Sequence, residues 1–337
     1  MSRTTLHIQA GIFRFFQVIG SYCDRYLSTP LPPPPSFTRR INSAVGSTPG
    51  SFDLLFYAPP SYQKPKTKSD SDSNSNQHSE TKHPLLIDFH GGGYTIGRAC
   101  DDARWFAAVL EHNPDCLIVS VDYRLAPSYP FPVGIEDCVS AVLYLWENAE
   151  EFGIDVDKTS FSGFSSGGNF TFTVAMKLCE LLKERRDIVR KGTLRSLISF
   201  YPALDWTISK EQRKASNVNS KPLPVPPGMG GLYEGSYLHP RPDDLRNPLL
   251  SPGLASGEIL RETLPHHLVI ITCWADPLLA EAETFRERLK VAGKRVEGYT
   301  VPGVEHGWDK WPSWRRRNQK RDEAYEVAAL SLGESWA

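Results

Sequence analysis

The sequence predicts an α/β fold, a mostly parallel central sheet flanked by helices, and three observations carry that expectation. From Leu85 onward, apolar strand-like runs alternate with segments of helical periodicity, the pattern of a parallel sheet covered on both faces. Two glycine-rich stretches, His90-Gly91-Gly92-Gly93 and Gly163-Phe164-Ser165-Ser166-Gly167, each directly follow one of those runs. At 337 residues, 40% of them hydrophobic, the chain also has enough apolar side chains to bury a large core.

Taken in order, the chain begins with Ile8 to Ile19, rich in Ile, Phe and Val but interrupted by Gln9, Arg14 and Gln17. No run reaches the roughly 18–20 apolar residues of a membrane span, and no basic-apolar-cleavage pattern marks a secretory leader. Ile8, Ile12, Phe15, Phe16 and Ile19 fall at helical spacing. That spacing predicts an amphipathic helix packed on the domain by its apolar face, rather than a membrane-surface anchor. The proline run Pro30 to Pro35 reads as an extended linker, so residues 1–50 are assigned to a lid helix and linker and 51–337 to the main domain.

Phe52 to Ala58 reads as a strand. Lys64 to His83, dominated by Ser, Asp, Asn, Lys and Gln, cannot bury enough apolar surface to order itself and reads as a disordered loop. Further strands are expected at Leu85–Phe89, Leu117–Val121, Thr159–Gly163, Leu194–Tyr201, Leu268–Cys273 and Val296–Tyr299. Helices are expected around Trp105–Leu110, Val133–Glu151, Asn169–Lys183 and Leu278–Val291. Between Asp205 and Arg246 the alternation stops, with Pro222, Pro224, Pro226 and Pro227 clustered. Such an insertion lies over the carboxyl ends of the strands, so residues 205–246 and the N-terminal helix are read together as a helical lid.

Bulk properties exclude several roles. A formal net charge of -1 argues against a nucleic-acid surface. The six cysteines, Cys23, Cys100, Cys116, Cys138, Cys179 and Cys273, are scattered with no metal-type grouping and read as free thiols. The expected location is therefore cytoplasmic. The sequon Asn169-Phe170-Thr171 is discounted because its helix should pack on the sheet. Arg315-Arg316-Arg317 with Lys320 and Arg321 reads as a solvated face of the C-terminal helix.

The glycine stretches carry the chemistry. G-x-S-x-G is the form of a nucleophile elbow, a tight strand-to-helix turn that lifts a serine hydroxyl out of the backbone. HGGG is the loop that supplies amide donors to an oxyanion. Together, in this order and each behind a strand, they predict an α/β-hydrolase fold and attack on acyl groups.

Ser165 is the candidate nucleophile and needs a base held by a third group. Asp276, in Trp274-Ala275-Asp276-Pro277-Leu278, and His306, in Gly303-Val304-Glu305-His306-Gly307-Trp308, follow late strands in the order this fold requires. Singly, Asp276 could be a helix cap and His306 an ordinary loop histidine. Their joint order and strand placement favour the triad. His266 and His267 precede their strand, and His239 falls in the lid. Backbone N–H groups of Gly92, Gly93 and Ser166 are the candidate oxyanion donors. His90 shapes the turn beginning at Gly91, and Gly163 with Gly167 answers crowding at the elbow. No cofactor and no metal is expected.

These residues resemble the hormone-sensitive-lipase-like family of α/β-hydrolases, which includes bacterial esterases and arylacetamide deacetylases. The resemblance rests on HGGGY at 90–94, GFSSGGN at 163–169, and Asp122-Tyr123-Arg124-Leu125-Ala126-Pro127 with Phe131-Pro132 and Asp137. DPL around Asp276 and HGW around His306 extend it. It implies an eight-stranded core, a lid, the same triad and oxyanion donors, and hydrolysis of small to medium acyl or aryl esters through an acyl-enzyme. Amide deacetylation or lactone opening on the same triad is an alternative. So is a non-catalytic small-ligand-binding protein, although receptors of that kind lose the histidine present here as His306. The chain departs from the family at Phe164, where Asp or Glu is usual, at Ser166 for Ala, and at Ser128 for Glu.

Overall fold

The computed structural model describes residues 1–27, 31–62, 82–185, 191–222, 231–311 and 318–337. Its strands are β1 (Phe37–Asn42), β2 (Ser51–Tyr57), β3 (His83–Phe89), β4 (Leu117–Asp122), β5 (Ile154–Phe164), β6 (Leu194–Phe200), β7 (His267–Cys273), β8 (Arg295–Glu297) and β9 (Thr300–Val301). They form one sheet in the order β1-β2-β4-β3-β5-β6-β7-β8, with β9 also on β7. The pairs β1–β2 and β2–β4 are antiparallel and the rest parallel. The register Phe89↔Gly163 ends β3 and β5 side by side, which brings the HGGG loop against the elbow.

The helices are α1 (Arg3–Leu27), α2 (Ala103–His112), α3 (Val133–Glu147), α4 (Ala149–Phe152), α5 (Ser166–Glu184), α6 (Lys210–Ser216), α7 (Leu232–Tyr237), α8 (Gly257–Thr263), α9 (Leu279–Val291) and α10 (Gln319–Glu334). Strand residues alternate between the two faces. On β7, Leu268 and Ile270 join the core under α3, α5 and α9, whereas Val269, Ile271 and Cys273 join the core under α2 and α10. The sheet is therefore apolar on both sides, as a parallel sheet between helix layers must be. Among the described residues, no helix is long and apolar enough to cross a membrane.

Several elements differ from the sequence expectation. The sheet starts at Phe37, within what reads as a linker before residue 51. The strand is masked in sequence because Thr38, Arg39 and Arg40 dilute its pattern, yet Phe37 stacks on Phe56 and Ile41 is buried. An edge strand with charged residues is a common way to protect an open sheet edge. His83 opens β3 and is buried, so it does not close a disordered loop; most of the 64–83 stretch lies outside the described residues.

The expected helix 133–151 breaks at Asn148, and the expected strand 296–299 splits around Gly298. Gly298 has φ +96°, and a Cβ there would sit 2.2 Å from the Ile270 carbonyl oxygen. Thus β8 and β9 fill one sheet position in two pieces, which gives nine segments where eight strands are implied. Arg321 is buried rather than solvated, and Arg315 to Arg317 lie outside the described residues, as do Pro30, Pro224, Pro226 and Pro227.

The orientation of α1 is reversed. Ile8, Ile12, Phe15, Phe16 and Ile19 all face solvent. The packed face is mostly polar: Arg14 donates to the carbonyls of Thr95 and Ala126, and Gln17 Nε2 donates to Asp101 (2.7 Å). The loops at the strand ends present carbonyls and carboxylates, so donors on the helix satisfy them better than alkyl groups could.

In the DYRLAP stretch, the Arg124 guanidinium pairs with Asp137 at 2.7 Å, both side chains nearly fully buried, and also donates to the carbonyls of Thr48 and Pro49. Removing one partner strands a buried charge. Asp137→Ala is expected to lower the unfolding free energy by about 3–5 kcal/mol in urea denaturation. A loss within experimental error would mean the pair does not hold the structure.

Candidate active site

The site is assembled where β3 and β5 end. Ser165 joins β5 to α5 with φ 54° and ψ −111°, a conformation L residues rarely adopt and one that projects the hydroxyl from the turn. The turn requires small neighbours: a Cβ on Gly167 would lie 1.8 Å from the Phe89 carbonyl oxygen and 2.6 Å from that of His90. Gly163 and Gly91 are likewise pressed against backbone. The HGGG loop turns through Gly92 (φ 116°) and Gly93 (φ 59°), values glycine reaches without strain. His90 braces this loop. Its Nδ1 lies 2.7 Å from the Gly91 carbonyl, and its ring stacks on Tyr123 at 4.1 Å.

The structure brings the three distant side chains together. His306 Nε2 lies 2.8 Å from Ser165 Oγ, and His306 Nδ1 lies 2.7 Å from Asp276 Oδ2. Asp276 and His306 are buried, whereas Ser165 is partly exposed. Asp276 serves twice, because its Oδ1 accepts the Leu278 N–H at 2.8 Å while Oδ2 faces the imidazole. Capping and orienting are therefore not exclusive. Ser166 follows the serine in the first turn of α5, and Gly92 and Gly93 lie in the loop that leaves β3 next to the end of β5. His267 is at the opposite end of β7, bonded to Ser331. Asn169 is buried, with its amide donating to the carbonyls of Ala203 and Leu250.

Other residues of the site were not visible as motifs. Asn217, from the insertion, donates its amide to the carbonyls of Trp274 and Asp276, both at 2.9 Å, and so fixes the loop that carries the acid. Tyr201 lays its ring edge-on to His306 at 4.8 Å, and its hydroxyl donates to Asp309 at 2.5 Å. Tyr325 donates to the other Asp309 oxygen at 2.6 Å. Lys310 donates to Asp102 at 2.5 Å and lies 3.1 Å from Asp309. Its ammonium also sits 3.3 Å from the ring centre of Phe164, which stacks on Phe200. Where the family usually carries a carboxylate before the nucleophile, this chain places an aromatic face under a cation. Only the aromatic residue at 164 hinted at this in the sequence.

A second aromatic group comes from the insertion. Tyr237 stacks on Tyr94 at 3.7 Å, Trp206 packs beside both, and the Tyr233 ring covers Gly93.

Comparison with known proteins bears on the family and the fold. A family described as alpha/beta hydrolase fold matches residues 86–310. The chain belongs to that α/β-hydrolase family, in its hormone-sensitive-lipase-like branch. This hydrolase is 31% identical over 230 residues to an arylesterase of Saccharolobus solfataricus, covering 68% of this chain and 69% of the relative. It is 29% identical over 226 residues to the carboxylic ester hydrolase LipN of Mycobacterium tuberculosis, covering 67% and 57%. In structure it is similar to a thermostable esterase from Pseudomonas putida, with TM-score 0.76, 18% identity and coverage of 98% and 92%. It is also similar to carboxyl esterase 2 of Tuber melanosporum, with TM-score 0.71, 21% identity and coverage of 95% and 98%. At those identities the structural likeness speaks for the fold.

The electrostatics of the Asp309 cluster have a defined pH sense. Burial pushes the Asp309 carboxyl up, but Lys310 and the hydroxyls of Tyr201 and Tyr325 outweigh it and hold the group below its ordinary value. Burial pulls Lys310 down, and Asp102 with Asp309 more than reverses this. The Asp309 contribution is present above the ordinary carboxylate range and lost as pH falls through its lowered folded value. The Lys310 contribution is present below the ordinary lysine range and lost as pH rises through its raised one. Lys310→Met should cost about 3 kcal/mol at neutral pH by leaving Asp102 and Asp309 without their cation. Thermal unfolding across pH checks this, and the loss should shrink on acidification. An undiminished loss at acid pH would contradict the assignment.

Proposed function

We propose that this carboxylic ester hydrolase works through an acyl-enzyme on Ser165, with esters of small to medium acyl or aryl groups as substrates. The 2.8 Å and 2.7 Å contacts that link Ser165, His306 and Asp276 in a line support the reading. His306 Nε2 takes the Ser165 proton as Oγ attacks the ester carbonyl, while Asp276 fixes the imidazole tautomer and stabilises the imidazolium. The N–H groups of Gly92, Gly93 and Ser166 receive the negative oxygen, each such donor contributing about 3 kcal/mol in related chemistry. His306 then protonates the departing alcohol, and water, deprotonated by the same histidine, releases the acid. Phe164 with Lys310 braces the elbow from beneath.

The substrate class is supported by the aromatic group of Tyr94, Trp206 and Tyr237, which begins directly after the HGGG loop, and by the likeness to an arylesterase. α1 and the described parts of the insertion, 205–222 and 231–246, act as the lid. The enzyme is assigned to the cytoplasm, in keeping with six free cysteines.

Ser165→Ala is expected to lower kcat on a soluble aryl acetate by about 10⁴–10⁶ while leaving the fold intact. It should also abolish labelling by a fluorophosphonate. Steady-state kinetics and mass spectrometry read both effects. Hydrolysis by the alanine variant close to the parent rate would overturn the mechanism.

A further inference from the structure

The outer face of α1 is a stripe of apolar side chains with nothing over it among the described residues. Ile8, Ile12, Phe15, Phe16, Ile19 and Tyr22 are 58%, 45%, 63%, 62%, 46% and 65% exposed. Single exposed apolar residues are ordinary on a protein surface. These six follow helical spacing and run for about 20 Å along one side of one helix. The helix cannot roll to bury them, because its other face is tied down. Arg14 is bonded to two loop carbonyls, Gln17 accepts from the Gly97 N–H and donates to Asp101, and Asp24 pairs with Arg104. Leu6 and Ala10 pack with Leu232, and Phe13 stacks on Tyr233.

We infer that this face of α1 docks on an anionic lipid surface. Charge selects the occupant. The one acid of the helix, Asp24, is engaged by Arg104, which leaves the Arg3 guanidinium as the charge beside the stripe. Arg3 and His7 are exposed beside the stripe. An apolar strip with an arginine at one end and tyrosines toward the other is the composition of a helix lying in the plane of an interface. A second copy laid parallel would bring Arg3 against Arg3 with no free acid on the helix to answer it, which disfavours self-association through this face. The face is also the convex side of one helix rather than a groove for a partner segment. The expectation that this helix stays off membranes depended on burying Ile8, Ile12, Phe15, Phe16 and Ile19, and they are not buried. Through Phe13 and Tyr233, the docked helix lies next to Gly93 of the candidate site.

Cosedimentation of the full chain with phosphatidylcholine vesicles, with and without phosphatidylserine, tests the inference. The parent should partition onto the phosphatidylserine vesicles. The double variant Phe15→Glu, Phe16→Glu should lose about tenfold or more in partitioning, and Arg3→Gln about fivefold. Hydrolysis of a soluble aryl acetate should be unchanged in these variants, which separates loss of docking from loss of fold or of the ester-cleaving site. A parent that stays in the supernatant with both vesicles overturns the proposal. So does a dimer in light scattering that the double variant converts to monomer, since the face would then belong to a second copy.

Discussion

The ends of β3 and β5 approach so closely that no side chain fits between them. Their pairing puts Phe89 beside Gly163, and both chains must leave the sheet at that level. β3 leaves through glycines with positive φ, and β5 leaves in a single residue, Ser165, at φ 54°. A non-glycine residue held there costs of order 1–3 kcal/mol, which the surrounding structure must supply. It does so through α5, whose first eleven residues, Ser166 to Met176, run buried between the sheet and α3. The reactive hydroxyl is thus a product of the sheet register and of core packing, and the two glycine loops are the form that crowding takes in the sequence.

A second constraint holds the histidine. His306 stands three residues before Asp309, on a loop with little regular structure of its own. Asp309 receives hydroxyls from the end of β6 and from α10, and Lys310 reaches Asp102 just before α2. Burial and the Asp309 carboxylate push the phenols of Tyr201 and Tyr325 well above their ordinary range, so both remain donors. One carboxylate therefore locks the loop to two elements of the main domain, and one ammonium ties it to a third while lying over Phe164. The turn at Ser165 and the loop of His306 share a support, although no covalent neighbour joins them.

The meeting of Ser165, Asp276 and His306 could be anticipated from the sequence because the proposed chemistry puts particular residue types in loops after particular strands. The sheet was legible because buried parallel strands are continuous apolar runs. What escaped depended on pairing rather than on type. β1 is recognisable only once Phe37 meets Phe56, the split at Gly298 only once Ile270 lies alongside, and Asn217 only once its amide reaches the loop of Asp276. Lys310 and Asp309 read as ordinary surface charges beside a histidine. Their weight comes from partners on β6, α2 and α10 that no spacing rule connects.

The orientation of α1 shows why a helical wheel is a poor guide at this end of the fold. Amphipathic spacing locates an apolar face correctly but assumes that the inner surface is apolar as well. Above the carboxyl ends of parallel strands the inner surface is loop backbone, whose carbonyls, such as those of Thr95 and Ala126, accept from Arg14. A helix lying there gains more from Arg14 and Gln17 than from phenylalanine, since an unmet buried carbonyl costs about as much as a buried side chain gains. One face of α1 satisfies the polar rim, while Tyr233 turns inward against Gly93 and Trp206 with Tyr237 against Tyr94. The stripe left outside is then a consequence of what the rim demands.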